Sequence, residues 1–209
     1  NLTINRPTEY GVGLFGYINN GYVQDLKIEN ARIIGGAEVG ALVGEATSTV
    51  FDQVSVTSHV TGFDRVGGIS GESTNSIAKH CSHIGRVQGN DDVGGLFGTF
   101  SSGLIEQSFN IGLVKSDIRT GGISGTTNNT TISNAYSVGT VLGGSYIGGL
   151  TGFSSTNEVK YFYNLAKVEG QISAGAIAGK ALTSTISETY WNENSATLAF
   201  GEGDNQSIM

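Results

Sequence analysis

The sequence repeats itself every 27 residues. The runs VGALVG (39–44), VGGISG (66–71), VGGLFG (93–98), TGGISG (120–125), IGGLTG (147–152) and AGAIAG (174–179) close on Gly44, Gly71, Gly98, Gly125, Gly152 and Gly179 without an insertion between them. An earlier copy, GVGLFG (11–16), ends 28 residues before Gly44, so the first full unit carries one extra residue. Leu26 and Val54 are also 28 apart, whereas Ile33 and Val60 are 27 apart, which places the extra residue between Ile28 and Ile33, in an expected turn. Other columns keep the same step: Val60, Val87, Val114, Val141 and Val168, ending at Ser195; Phe51, Ala78, Ile105, Ile132, Val159 and Ile186; Gly62, Gly89, Gly143 and Gly170, with Ser116 and Thr197 as exceptions; and the small residues Ala41, Gly68, Gly95, Gly122, Gly149 and Ala176. A unit this short cannot bury its own apolar face, but stacked copies can, each pairing with the coil above and below.

The expected fold is therefore all-β: one parallel β-helix, or β-solenoid, over residues 1–209, with about seven 27-residue coils starting near 11, 39, 66, 93, 120, 147 and 174. Coils ~4.8 Å apart predict a rod of roughly 30–35 Å, right-handed by the general preference of parallel crossovers. Helices are not expected, because 3.6-residue periodicity is absent and Gly recurs in every window. Each unit reads as three short strands joined by turns: the Gly-rich run (Gly94–Gly98), a middle run (Ile132–Val138) and a short strand around the Val column. Between the first two lie polar Ser/Thr/Asn turns at 47–49, 73–76, 126–131 and 154–157. Leu2 and Ile4 match Leu26 and Ile28, so the chain is expected to open inside an earlier coil, as a fragment of something longer. Residues 192–209 read as a cap or a polar tail.

Composition narrows the function classes. Gly supplies 33 of 209 residues, and only 14% are charged, with a net charge of −7. No basic field exists to meet nucleic-acid phosphates. A single Cys excludes a disulfide framework or a Cys-rich zinc site. No run of ~18 apolar residues is present to span a membrane as a helix. Disorder is not expected, with 38% hydrophobic residues and Val and Ile spread evenly.

The VGGLFG-type runs, followed by TISNAYSVGTVLGGSYIGGLTG (131–152), resemble the GLUG repeat. That repeat occurs in large bacterial surface and secreted proteins, among them filamentous-haemagglutinin-like adhesins and immunoglobulin-A-cleaving metallopeptidases. The opening NLTINRPTEYGVGLFG and the closing TYWNENSATLAF are similar to the ends of such arrays, so the resemblance covers nearly the whole chain. One column departs. Where the family often has Cys before the aromatic, this chain has Val54, Ser108, Ala135, Phe162 and Thr189, and only Cys81 remains. The resemblance implies a solenoid scaffold with an extracellular or cell-surface location, and leaves the activity of the parent protein open.

Residues 11–16 satisfy G-x-G-x-x-G, but no helical pattern follows, so no nucleotide cofactor is expected. His80 and His83 flank Cys81; H-E-x-x-H is absent, and no metal site is expected: Cys81 is placed in the core, with the histidines decorating one coil. Acids gather in one turn column, Asp64 with Arg65, Asp91 with Asp92, and Asp117 with Arg119. This is the row a polysaccharide lyase of β-helix type would use to hold calcium and move a proton, although no inserted loop walls off a cleft there. The variable Ser/Thr/Asn turns lack the strict T-x-T ladder of ice-binding solenoids. The remaining candidate is aromatic: Phe109, Tyr136, Tyr163 and Tyr190 fall at successive steps, after Ser55 and Ser82. Their direction stays open. Leu26 with Ile28 and Val54 with Val56 send the column outward, while Phe109 with Ile111 and Tyr136 with Val138 read the other way. If outward, they form a ladder for a sugar or a partner protein; if inward, strand-on-strand stacking alone explains them.

The expected function is a non-catalytic structural or adhesive repeat segment of an extracellular bacterial protein, a monomeric part of a larger chain that uses no cofactor. The alternatives are a glycan- or host-protein-binding module built on the aromatic column, and a lyase-like β-helix enzyme built on the acidic one.

Overall fold

Four short strands make each coil. The computed structural model describes residues 2–196 and 198–203, and one complete turn of it runs Asp64–Gly67, Ser70–Thr74, Ile77–Lys79 and Ser82–Gln88. Each strand lies parallel to its equivalent one repeat later, with Val66 opposite Val93, Ser73 opposite Phe100, Ala78 opposite Ile105 and Val87 opposite Val114. The chain is a parallel β-solenoid of about seven coils. No helix among the described residues is long and apolar enough to cross a membrane.

The expected three-strand unit is corrected to four, because corners cut through two of the runs. The Gly-rich run breaks at Gly95–Leu96, between Asp91–Gly94 and Phe97–Glu106. The middle run turns at Asn134, whose φ is 53°. Except at Gly11, whose φ is 63°, the corners are not made by glycine. Three columns of other residues take left-handed φ between 43° and 57°: Asn20 to Thr183, Asp25 to Glu188, and Glu38 to Ser173. Such φ costs an L-residue about 1–2 kcal/mol. The ladder offsets it, since the corner amide bonds to the next coil: Asn75 N–H donates to Ser101 O at 2.9 Å and His80 N–H to Glu106 O at 3.1 Å. The closing glycines lie against these corners instead. A Cβ on Gly98 would stand 2.4 Å from Gly71 O and 2.5 Å from the carbonyl carbon of Arg65, the corner residue one coil earlier. Only hydrogen fits there.

The Val column is buried and stacked, Val60 through Val141 being at most 1% exposed. The Phe51–Ile186 column is sealed completely, and Phe97 meets Phe100 edge-on at 4.7 Å. The Ser/Thr turns are only partly exposed. Thr49, Ser76, Thr130, Asn157 and Ser184 are buried as an internal ladder. Ser76 Oγ accepts the Thr49 N–H at 3.1 Å and donates to Thr74 O at 2.9 Å. Small hydroxyls are selected because each satisfies one backbone donor and one acceptor inside the corner.

The extra residue is absorbed as a bulge within Lys27–Gly40, not in a turn: the register slips between Ile28 and Ala31, and Asn30 takes a φ of 52°. Beyond the bulge, Ile4 pairs with Ile33 rather than aligning with Ile28. Of the expected cap or tail at 192–209, Thr197 and residues 204–209 lie outside the described residues.

Candidate functional site

The aromatic column points outward. On Ser82–Gln88 and the three strands that follow it, one inward column is polar, with His83, Asn110, Ser137 and Asn164 fully or almost fully buried, while the other is the buried Val column. The apolar residues flanking them therefore face water, which inverts the usual pattern of a half-buried strand. Phe109 and Tyr136 are half-buried, Tyr163 is 48% exposed and Tyr190 54%. Two residues further along lies a second outward column, Ile84, Ile111, Val138 and Leu165, in which Leu165 reaches 60% exposure. Together they form an apolar stripe along the solenoid axis. The rings pair face to face at the coil pitch: Phe109 with Tyr136 at 4.7 Å and 4°, and Tyr163 with Tyr190 at 5.2 Å and 18°. Because each ring turns a face to its neighbour, the stripe offers ring edges, tyrosine hydroxyls and aliphatic side chains to a partner.

The polar ladder behind the stripe explains the column of small residues. A Cβ on Gly68 would lie 2.4 Å from the His83 ring, and one on Gly95 2.3 Å from Asn110 Cγ. His83 Nδ1–H donates to Asn110 Oδ1 at 2.9 Å, and Ser58 Oγ–H donates to His83 Nε2 at 3.1 Å. Asn164 closes its own turn by accepting the Ala166 N–H at 3.0 Å. Burial pushes His83 down to about 4, so the imidazole is neutral. His83, expected only to decorate its coil with His80, is completely enclosed.

The three residues of the His80–Cys81–His83 motif do not converge. His80 is exposed and bonds Asp52 Oδ1 at 2.9 Å, a contact that raises its pKa. Cys81 is buried, its Sγ 3.3 Å from Lys79 O, and burial pushes the thiol up to about 12, far from a reactive thiolate. Gly11 to Gly16 cross from Thr3–Val12 into the strand Phe15–Asn19, with no helix after them.

The acidic column is an ion-pair ladder. Corner residues Glu38, Arg65, Asp92 and Arg119 alternate in sign from coil to coil. Arg119 Nε donates to Asp92 Oδ1 at 2.9 Å and its Nη2 to Asp91 Oδ2 at 2.5 Å, while Thr126 Oγ1 donates to Asp92 as well. Arg65 pairs with Glu38 and with Asp64 at 3.0 Å; its Nε lies 3.1 Å from Glu72 Oε2, close enough for attraction but not aligned as a hydrogen bond. Asp64, Asp91 and Asp92 do bring carboxylate oxygens within 4.8 Å of one another. Burial raises the pKa of Asp92, and the Thr126 bond and the Arg119 charge oppose it. Asp117 departs from the expected row: it is exposed, and its N–H donates to Asn90 O at 3.0 Å. The carboxylates are thus engaged by arginines at a corner.

One feature of this face escaped the sequence reading. Arg32, His59 and Arg86 stand opposite one another on successive coils, outward and exposed, and line an open groove of about 630 Å³ with Asn30, Thr61 and Gln88. The 27-residue step between them was the signal, masked by attention to apolar and acidic columns.

Compared with known proteins, the chain matches no family model, no curated protein and no solved structure.

Proposed function

We propose that this chain is a non-catalytic structural and adhesive segment of a bacterial surface or secreted protein: a rigid solenoid spacer whose outward apolar stripe makes the contact. The observation that carries this reading is the inverted strand, which buries His83, Asn110, Ser137 and Asn164 while leaving Phe109, Tyr136, Tyr163, Tyr190 and the Ile84–Leu165 column in water. Exposed apolar area of this continuity is a contact surface in most soluble proteins. Tyrosines also suit one, offering a wide apolar body and a hydroxyl at low entropic cost. The resemblance to GLUG repeats supports the extracellular setting; any peptidase activity would then belong to another domain of the parent protein. The test is retention on immobilised host-surface proteins and on a glycan array, comparing the wild type with Tyr136→Ala/Tyr163→Ala. Binding to some surface that falls at least tenfold in the variant is expected; a variant that binds as the wild type does, everywhere, removes the stripe from the function.

A further inference from the structure

Eight of the eleven Lys and Arg side chains stand in ion pairs, and the three that do not are Arg32, Arg86 and Lys115. None of the three has a side-chain hydrogen bond or ion pair among the described residues, and all three lie on the face that carries the aromatic stripe. In a chain of net charge −7, with more than enough carboxylates to pair every cation, leaving these unpaired on one face is a specific arrangement. Arg32 and Arg86 flank His59 along the solenoid axis, and Lys115 follows beside Gln88 on the next coil. Among the described residues, no acidic side chain lines the groove that Arg32 and Arg86 share with His59; Lys115 lies beyond it, in a neighbouring depression with Asp117 and Glu169.

The groove also lies at a break in the repeat. Its lining includes Asn30 and Ala31, the residues at the bulge where the register slips by one. A second slip, between Arg6 and Tyr10, lies outside the groove; here the added residue stands directly before the unpaired Arg32.

We infer that the Arg32–His59–Arg86 groove binds an acidic polysaccharide, its arginines holding carboxylate or sulfate groups that recur along the sugar chain. The row spans two coil steps, about 10 Å, and runs along the axis, so it fits a polymer with spaced anionic groups rather than one compact anion. Arginine is suited to this because its planar fork meets a carboxylate or sulfate through two parallel bonds. His59 and Gln88 supply further polar contacts to hydroxyls. Continuing along the same face, the chain would pass onto Ile111 and the tyrosine edges, where the apolar sides of sugar rings find cover. A duplex nucleic acid is disfavoured because its charges, one every ~1.7 Å of axis, are far denser than two arginines about 10 Å apart can meet. The inference rests on reading this face as the contact surface and names its ligand class.

The experiment is calorimetric titration of the whole chain with polygalacturonate, dextran sulfate, neutral dextran, poly-L-glutamate and a single-stranded oligothymidylate. Binding of at least one acidic polysaccharide is expected, with none of neutral dextran. Arg32→Ala/Arg86→Ala should weaken it at least tenfold with an unchanged melting curve, as both side chains are exposed; Lys79→Ala/Lys160→Ala, from the paired cations, should bind as the wild type does. Binding by the arginine variant equal to wild type, or no binding of either acidic polysaccharide, overturns the inference. Equal or tighter binding of polyglutamate or the oligonucleotide also overturns it and reassigns the groove to an acidic protein or to nucleic acid. Tyr136→Ala/Tyr163→Ala in the same titrations separates the two readings. A groove that fails while the tyrosines matter on host surfaces leaves the stripe standing, and the reverse leaves the groove standing alone.

Discussion

His83 and Asn110 meet in the interior of the solenoid, Nδ1 to Oδ1 at 2.9 Å, on coils that are neighbours in space and 27 residues apart in sequence. The contact fixes the tautomer, since Nδ1 must carry the hydrogen and Nε2 is left to accept from Ser58. The burial of His83 also makes stability depend on pH. The pKa of His83 is lowered to about 4 by burial, against about 6.5 when unfolded. Between these values the unfolded chain binds more protons. The contribution is therefore complete above pH ~6.5 and is lost as the pH falls toward 4, amounting to about 3 kcal/mol at roughly 1.4 kcal/mol per unit. Burial raises the pKa of Asp92 and Glu72, which tilts the opposite way, so the comparison must be differential. Urea unfolding of the wild type and His83→Gln from pH 7 to 4 should show the gap between them narrowing as the pH falls. A constant gap would mean that His83 does not titrate within the fold.

The Val column should tolerate no charge. Val114 is 1% exposed between Val87 and Val141. Val114→Asp places a carboxyl where no donor waits, at a cost of about 3 kcal/mol or more. The readout is the denaturant midpoint, which should fall well below that of Val114→Ala.

Gly98 and Thr99 are neighbours with opposite expectations. Gly98→Val drives side-chain atoms into the backbone at Arg65 and Gly71 and should cost about 3 kcal/mol or more. Thr99 is half-buried on a strand, where Thr99→Val should fall within about 1 kcal/mol. Equal melting temperatures would make the closing glycines incidental.

The corner ion pairs should be structural. Asp92→Ala removes two acceptors of Arg119 and the partner of Thr126, costing about 1–3 kcal/mol. Millimolar calcium should leave the melting temperature of the wild type unchanged, and no turnover of polygalacturonate is expected with or without it. Calcium-dependent cleavage lost in Asp91→Ala/Asp92→Ala would instead favour the lyase reading.

The stripe should be cheap to remove. Tyr163 is half-exposed, and its ring stacks on Tyr190 alone among the pairs it forms with described aromatic residues. Tyr163→Ala should therefore cost about 0.5–1.5 kcal/mol while weakening any ligand of the face more strongly. A larger loss of stability, seen by thermal melting, would make the ladder a structural element first.

Much of the fold was legible because a parallel solenoid writes its geometry directly into the chain. Val87, Val114 and Val141 pair with one another since each lies one coil from the next, so the repeat length is the register. Corners were less legible. Asn75, His80 and Arg65 share no residue type, yet all adopt left-handed φ, because hydrogen bonds between coils hold conformations that local propensity disfavours. The Ser and Thr clusters read as polar turns, which left their burial undecided; inside the solenoid the corner amides need partners, and Ser76 and Asn157 supply them.

By itself the sequence determined the all-β class, the number of coils and the columns that stack, because strict 27-residue spacing admits only one way of superposing the copies. The tertiary structure alone decided which side of the aromatic column faces water. Ile111 and Asn110 are adjacent, and alternation permits either to point inward. Asn110 does, since Gly95 clears the space beside it and His83 offers it a hydrogen bond; that choice sends Phe109, Ile111 and the tyrosines outward. Burial of a polar side chain is stable only where a partner from another coil stands ready, and no reading of one coil reveals that partner.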